Sequence, residues 1–469
     1  MSDRVDATPY GGVGLAQRMA ERSGLMEAIG RKVRVLKQRQ PYSEADHVMN
    51  IALNALCGGT CLEDLKRRKH DAAYLEMLGT LALPDSTTAG DFCRRFDAAG
   101  VDALQDAINE ARLNVWRAQG DDFVAKTAIL DIDSTIVETT GECKEGADPT
   151  YKGVWGYHPL LVTYANTQEP LFITNRSGAR PSVEGAPALL DKAIQLCRDA
   201  GHTKIRMRGD TAFSMTRYLD RWHEDGVHFV FGLMANPSMV SDAEALEDDD
   251  LYTQFVRTAD EARQSSTRAR QPRVKQQVVE ERGYKDLQLV REDIVEFPHK
   301  PERAAYAYRV IALRKTILEY RGQRCIDQLH RYFFYITNDP SLTAEQVVRE
   351  ANQRCAQEKL IGELKSGVRA LRAPLNTLLA NHAFMVATSI AWSLKTWLAL
   401  TVPVLPRWRA KHLTGRNRML RMSFRSFVQE LMLLPVQATR SGRRLILRVL
   451  GWRPSLRTFF RLAEALGFA

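Results

Sequence analysis

The chain has 469 residues, 45% hydrophobic and 26% charged, with 66 Lys and Arg against 56 Asp and Glu. That profile excludes a collagenous, low-complexity or wholly disordered chain, and at roughly 100–200 residues per domain it predicts about three domains with cores of their own. The net charge of +10 is uneven, because residues 405–469 hold 14 Lys and Arg and only two acids, a net +12, which leaves the remainder near −2.

Residues 1–120 read as an α-helical region. Apolar positions recur at helical spacing in Leu15, Met19, Leu25 and Ile29, and again in Val48, Ile51, Ala52, Ala55 and Leu56. In LPDSTTAGDFCRRF, Pro84 and Asp85 make a turn, Ser86 or Thr87 caps a helix, and Arg94 and Arg95 could face a phosphate. A DNA-binding helix-turn-helix variant and a plain helical bundle both fit this stretch. The seven cysteines are odd in number and scattered, and the N-terminus lacks an apolar secretory core, so reduced thiols in a cytoplasmic protein are expected.

From Lys126 the period changes. KTAILDIDSTIVE is β-branched and alternating, LLVTYAN and PLFITN follow at hairpin distance, and helix, strand, helix and strand then succeed each other to VHFVFGL. Residues 121–235 are therefore expected to form an α/β layer around a mixed sheet. Residues 236–328 break the pattern with the acidic run SDAEALEDDDLY and the charged segment TADEARQSSTRARQPRVKQQ, and read as an inserted β-rich domain with short strands such as YAYRVIALRKT. Residues 329–404 resume the α/β layer with the strand RYFFYITN and one long helix from Thr343, where Gln346 completes a capping box.

Phe384 to Val404 is apolar enough to raise a membrane span, but Ser389, Ser393, Lys395 and Thr396 interrupt it, so a buried helix packed through Trp392 and Trp397 is expected and no membrane partner. Residues 405–469 form a basic C-terminal region whose charge, led by Arg407, Arg409 and Lys411 and interleaved with Trp408, Phe424, Phe427, Trp452 and Phe459, suits a phosphate backbone.

Three carboxylates stand out. Asp131 and Asp133, two residues apart on one strand, project from the same face, and a carboxylate there is costly unless it meets a cation or donors. Asp210 ends the strand IRMRGD, with Gly209 letting the backbone turn, the less favoured alternative being a structural Asp that caps the following helix. On the long helix Arg354, Glu358 and Lys365 fall at offsets of four and eleven, within about 40° of one another on an ideal helix, while Leu360 and Leu364 point to the core. Two Asp and one Glu arriving from two strand ends and a helix make an oxygen-ligand site for Mg²⁺, the arrangement phosphoryl transfer needs.

LDIDST, RGDTAF and the spacing Arg354-x3-Glu358-x6-Lys365 resemble the DDE transposases of bacterial insertion sequences, family 1380, along nearly the whole chain, including LPDSTTAGDF and YKGVWGYHPLL. The resemblance implies a ribonuclease-H-like mixed-sheet core, split by the inserted domain, that cleaves DNA at terminal inverted repeats and joins the 3′-hydroxyls to target DNA. It implies Asp133, Asp210 and Glu358 as the catalytic and metal-binding triad, Arg354 and Lys365 as phosphate contacts, and Asp131 and Thr135 as auxiliary positions. It further implies two Mg²⁺ ions, replaceable by Mn²⁺, double-stranded DNA as partner, a homodimer or higher oligomer on DNA, and a bacterial cytoplasm at the nucleoid. One departure is Ala351, where the family signature has Tyr. In some relatives an aromatic of the inserted domain stacks on a flipped base; no Trp lies between Trp222 and Trp392, so Tyr306, Tyr308 or Tyr320 would have to serve.

LDIDST also satisfies Asp-x-Asp-x-Thr, the motif of haloacid-dehalogenase-like phosphatases, in which Asp131 would be the nucleophile. That reading leaves the basic C-terminal region and the Arg354, Glu358, Lys365 face unexplained, and Phe213 and Ser214 stand where another acid is expected.

Overall fold

The computed structural model describes residues 6–246, 251–258, 286–321, 324–442 and 444–468, and the chain forms two compact units, residues 1–205 with 355–469 and residues 206–354.

In the first unit the core is the helix Leu378–Thr401, buried on all sides from Ala380 to Leu400. It is the one described helix long and apolar enough to cross a membrane, and its apolar window is wholly buried in protein. The helices Val13–Arg22, Glu44–Leu56, Ser86–Cys93 and Ala98–Arg117 pack around it, so the N-terminal helices and this C-terminal helix share one core. Local signals start these helices: Ser43 and Asp46 form a reciprocal capping box, and Asp97 accepts from Gly100 N at 2.7 Å. The cap of Ser86–Cys93 is Asp85, not Ser86 or Thr87 as the sequence suggested. Its carboxylate accepts from Thr88 N, Thr87 Oγ1 and Thr88 Oγ1, which holds its pKa well below the usual range.

The strand Ala128–Ser134 lies antiparallel to Leu160–Tyr164 with Asp131 opposite Thr163 and Asp133 opposite Leu161, and Leu160–Tyr164 in turn pairs with Glu169–Thr174. Just past Asp133 the chain enters a small sheet in which Val137–Glu138 pairs with Trp155–Tyr157, and Trp155–Tyr157 with Asp148–Pro149.

The basic C-terminal region is folded into this unit. Val436–Ser441 pairs with Ala7–Thr8 on one side and Arg444–Val449 on the other, and Phe424, Phe427, Leu431 and Phe459 are buried. Of the aromatics interleaved with the charge, Trp408 and Trp452 remain exposed. The physical reason is the composition itself: aliphatic and aromatic residues at helical spacing bury one face and leave Arg on the other.

In the second unit Ile205–Gly209 runs parallel to His228–Leu233, which pairs antiparallel with the end of Arg324–Thr337. Arg324–Thr337, Tyr308–Arg321 and Asp286–His299 then form a long antiparallel ladder of 14-residue strands. YAYRVIALRKT thus belongs to a strand longer than expected, because each side of it is paired along its length. RYFFYITN is the second half of Arg324–Thr337, so the boundary read at 328/329 falls inside a strand. Of the charged segments, residues 247–250 and 259–277 lie outside the described residues, while Pro237–Ala245 is a helix capped by Asn236.

The helix Ala344–Gln353 opens on the Thr343 and Gln346 capping box and lays Val347 and Val348 against Val230, Phe255, Ile294, Ile311 and Leu313. Its outer partners are ionic: Arg206 makes a bidentate bond to Asp339 at 3.0 and 2.6 Å, and Arg208 reaches Glu350 at 3.0 Å.

Candidate active site

The expected single helix from Thr343 is broken. Ala344–Gln353 ends at Arg354, where the chain passes from the second unit to the first, Cys355–Gly362 follows, and Glu363–Gly367 is a π-turn. Val347 and Val348 of the first half pack in the core of the second unit, while the second half belongs to the first unit and buries Leu360 and Ile361. The offset arithmetic for Arg354, Glu358 and Lys365 therefore does not hold as written, since a π-turn adds a residue to the winding before Lys365.

Another geometry takes its place. Gln357, buried on the inner face of Cys355–Gly362, donates from Nε2 to the backbone carbonyl of Asp131 at 3.0 Å, and Lys365 Nζ donates to the carbonyl of Ile136 at 2.7 Å. These two bonds dock the segment that carries Glu358 along the strand that carries Asp133. Leu360 and Leu364 are buried as expected, and Glu358 is exposed. Burial pushes the Lys365 ammonium pKa down and the nearby Lys152 adds to this, while Asp133 opposes it. Lys365 thus lies beside the acid strand through the π-turn and not through a common helix face.

Asp133 is half-buried, and its Oδ1 accepts the N–H of Ser134 at 2.8 Å. Asp131, two residues earlier, is only 1% exposed, which denies it the access that a covalent nucleophile needs and disfavours the phosphatase reading. Thr135 is half-buried and its N–H donates to the carbonyl of Pro159.

Asp210 belongs to the second unit, half-buried at the end of Ile205–Gly209. Its Oδ1 accepts from Ala212 N at 2.9 Å, capping the short turn Thr211–Phe213, so the capping role weighed from sequence is present. Gly209 stays in the strand, paired with Phe231, and the turn is made by Asp210 instead. Among the described residues no three His, Cys, Asp or Glu side chains gather closely enough to hold an ion.

Arg354 is half-buried at the helix break. Ala351 packs against the Val347 and Val348 cluster, a packing role for the position where the family signature has Tyr. Arg407, Arg409 and Lys411 are exposed; Arg407 and Lys411 flank the Trp408 ring at 5.4 and 5.9 Å, and Arg409 stands 3.7 Å from the exposed Asp122. Arg94 is paired with Asp91 at 2.7 Å. Tyr308 is buried and donates to Asp220 at 2.6 Å, Tyr306 donates to Glu224 at 3.2 Å, and the side chain of Tyr320 lies outside those described. Sequence reasoning passed over Gln357 and Lys152. The only signal for Gln357 was a polar residue on the apolar side of its helix.

Among curated proteins none matches this chain in sequence. The cryo-EM structure of the piggyBac transposase synaptic complex with hairpin DNA is similar at 10% identity and a TM-score of 0.38, over 92% of this chain and 84% of that one. The family model described as transposase DDE domain, group 1, matches residues 5–466, and the chain belongs to that family of DDE transposases.

Proposed function

We propose that this DDE transposase binds the terminal inverted repeats of a bacterial insertion sequence of family 1380, cleaves DNA at those ends and joins the freed 3′-hydroxyls to target DNA. The catalytic core in this reading is ribonuclease-H-like, split by an inserted β-rich domain, with DNA-contacting regions at 1–120 and 405–469. The observation that carries the reading is the docking of the Glu358 segment on the Asp133 strand, through Gln357 to Asp131 and Lys365 to Ile136, inside a chain matched to the family over residues 5–466.

Asp133, Asp210 and Glu358 would hold the metal. Three carboxylates without a Cys or His partner are a hard oxygen donor set, which fits a cation that prefers oxygen. When bound, two Mg²⁺ ions, or Mn²⁺ in their place, supply positive charge at the scissile phosphate and acidify the attacking hydroxyl. The protein's own share is placement. Lys365, held by the carbonyl of Ile136, and Arg354 set phosphates against the carboxylates, while Asp131 and Thr135 stiffen the strand end. Arg407, Arg409 and Lys411 bind flanking phosphates, and the active form is a homodimer or higher oligomer on DNA in the cytoplasm at the nucleoid.

Glu358→Gln tests the assignment, because it keeps size and hydrogen bonding and removes the charge. The variant should bind end DNA nearly as the parent does and fail to cleave it with Mg²⁺, read on a denaturing gel. Retained cleavage would remove Glu358 from the site.

A further inference from the structure

The motif YKGVWGY, distinctive in sequence, has no part in the chemistry above. In the structure it is the tip of the small sheet that follows Asp133. Val137–Glu138, a few residues past that carboxylate, pairs with Trp155–Tyr157, which pairs back on Asp148–Pro149. The turn between them is rigid: Gly153 N donates to Thr150 O at 2.8 Å, Thr150 N to Val154 O at 2.9 Å, and Gly153 takes φ +70°, which glycine alone adopts freely.

This stiff turn presents Tyr151, 72% exposed, to solvent, although an aromatic ring gains by leaving water. Lys152 Nζ lies over the ring, 5.5 Å from its centre, and the centre of the His158 ring is 5.6 Å away at a tilt of 45°. His158 is itself fixed by a bond from Nδ1 to the carbonyl of Arg180. Lys152 also lies close enough to Lys365 to disfavour its charge. Lys365 Nζ is in turn bonded to the carbonyl of Ile136 at 2.7 Å, one residue before the strand Val137–Glu138 of the same small sheet. An exposed ring with a lysine beside it is the pairing that a nucleotide meets with its base and its phosphate.

We propose that the turn Thr150–Gly153 is a nucleotide clamp beside the candidate active site, with Lys152 holding a DNA phosphate and Tyr151 stacking on the adjacent unpaired base. The clamp rests on the DNA-cleavage reading above, but it can be read out by binding alone. The probe is a forked oligonucleotide, duplex with one single-stranded arm, carrying 2-aminopurine as the first unpaired base and added to the full-length protein in EDTA. The parent should quench the fluorescence. Tyr151→Ala should abolish the quench while Tyr151→Phe keeps it, and base stacking of ordinary strength predicts a loss of affinity for the fork of about 10-fold. Lys152→Gln should lower the slope of log affinity against log salt by about 0.7 to 0.9, one phosphate's worth.

A second arm needs no variant: 5-iodouracil at the same position, photolysed on the parent protein, should crosslink to Tyr151. A quench that survives Tyr151→Ala, or a crosslink that maps elsewhere, overturns the clamp. If the parent cleaves end DNA yet either result appears, the clamp alone falls. If the parent neither binds the fork nor cleaves end DNA, the DNA reading falls and the clamp with it.

Discussion

Replacing Glu169 with alanine should cost this protein much of its stability, and the reason lies in one buried carboxylate shared by three parts of the chain. Glu169 is fully buried and accepts from Arg112 Nε at 3.1 Å, Trp116 Nε1 at 3.0 Å, Trp397 Nε1 at 2.8 Å and the hydroxyl of Thr167. Arg112, equally buried, spends further donors on the carbonyl of Pro170 at 2.8 Å and on Ser393 Oγ at 3.3 Å. The network ties the helix Ala98–Arg117, the strand Glu169–Thr174 and the helix Leu378–Thr401 into one core. Glu169→Ala leaves a buried guanidinium without its counter-ion, which costs about 3–5 kcal/mol, and orphans two indole N–H groups at about 1–3 kcal/mol each before relaxation. Overlap between these terms makes about 4–5 kcal/mol a reasonable expectation, or roughly 7 °C in Tm for a unit of this size. Urea titration followed by circular dichroism measures it. The double variant Arg112→Met with Glu169→Leu should recover most of the loss, because the pair's net worth is small once both charges are gone. A single variant within about 1 kcal/mol of the parent, or a double variant no better than the single, would refute the reasoning.

Lys395 offers a pH test: its ammonium is buried in the core helix over the Trp392 ring, bonded to the carbonyl of Leu420, and burial lowers its pKa from 10.5 to about 7. Between those values the unfolded chain binds the extra proton, so the parent's stability should rise as pH climbs from about 7 toward 10, by on the order of 4 kcal/mol at most, and Lys395→Met should flatten that rise in parallel melts. Asp133→Asn should eliminate DNA strand cleavage, whereas Asp131→Asn, inside the strand, should only weaken it; the reverse result in a gel assay would reassign the first acid. Neutralising Arg407, Arg409 and Lys411 together to Gln should weaken DNA binding and reduce the salt slope by up to about 0.9 for each phosphate no longer neutralised. Removing residues 405–469 would also strip buried Phe424, Phe427 and Leu431 from the core, so the point substitutions are the cleaner test, and an unchanged slope in the folded variant would exclude Arg407, Arg409 and Lys411 from the DNA surface.

Much of the secondary structure follows from local chemistry, and so was legible before any coordinates. The capping box at Thr343 and Gln346, the alternating run that ends in Asp133, and the buried fate of the apolar helix with its interrupting Ser, Lys and Thr are decided by periodicity and neighbouring side chains. The three acids could be singled out for the same reason, since carboxylates closing apolar strands or bordering an apolar helix face contradict their surroundings. Long-range partners were not legible. Nothing in the sequence marks Glu169 as the meeting point of Arg112, Trp116 and Trp397, or Gln357 as the residue that reaches Asp131, because those bonds join positions 53 to 228 residues apart. The helix from Thr343 reads as continuous because its residues favour helix throughout, whereas the chain interrupts it at Arg354, where it passes from one unit to the other. Propensity acts over one turn, whereas burial is a property of the folded whole, so the sequence by itself marked out the elements and the candidate acids, and the tertiary structure decided long-range bonds such as Gln357 to Asp131 and Lys365 to Ile136.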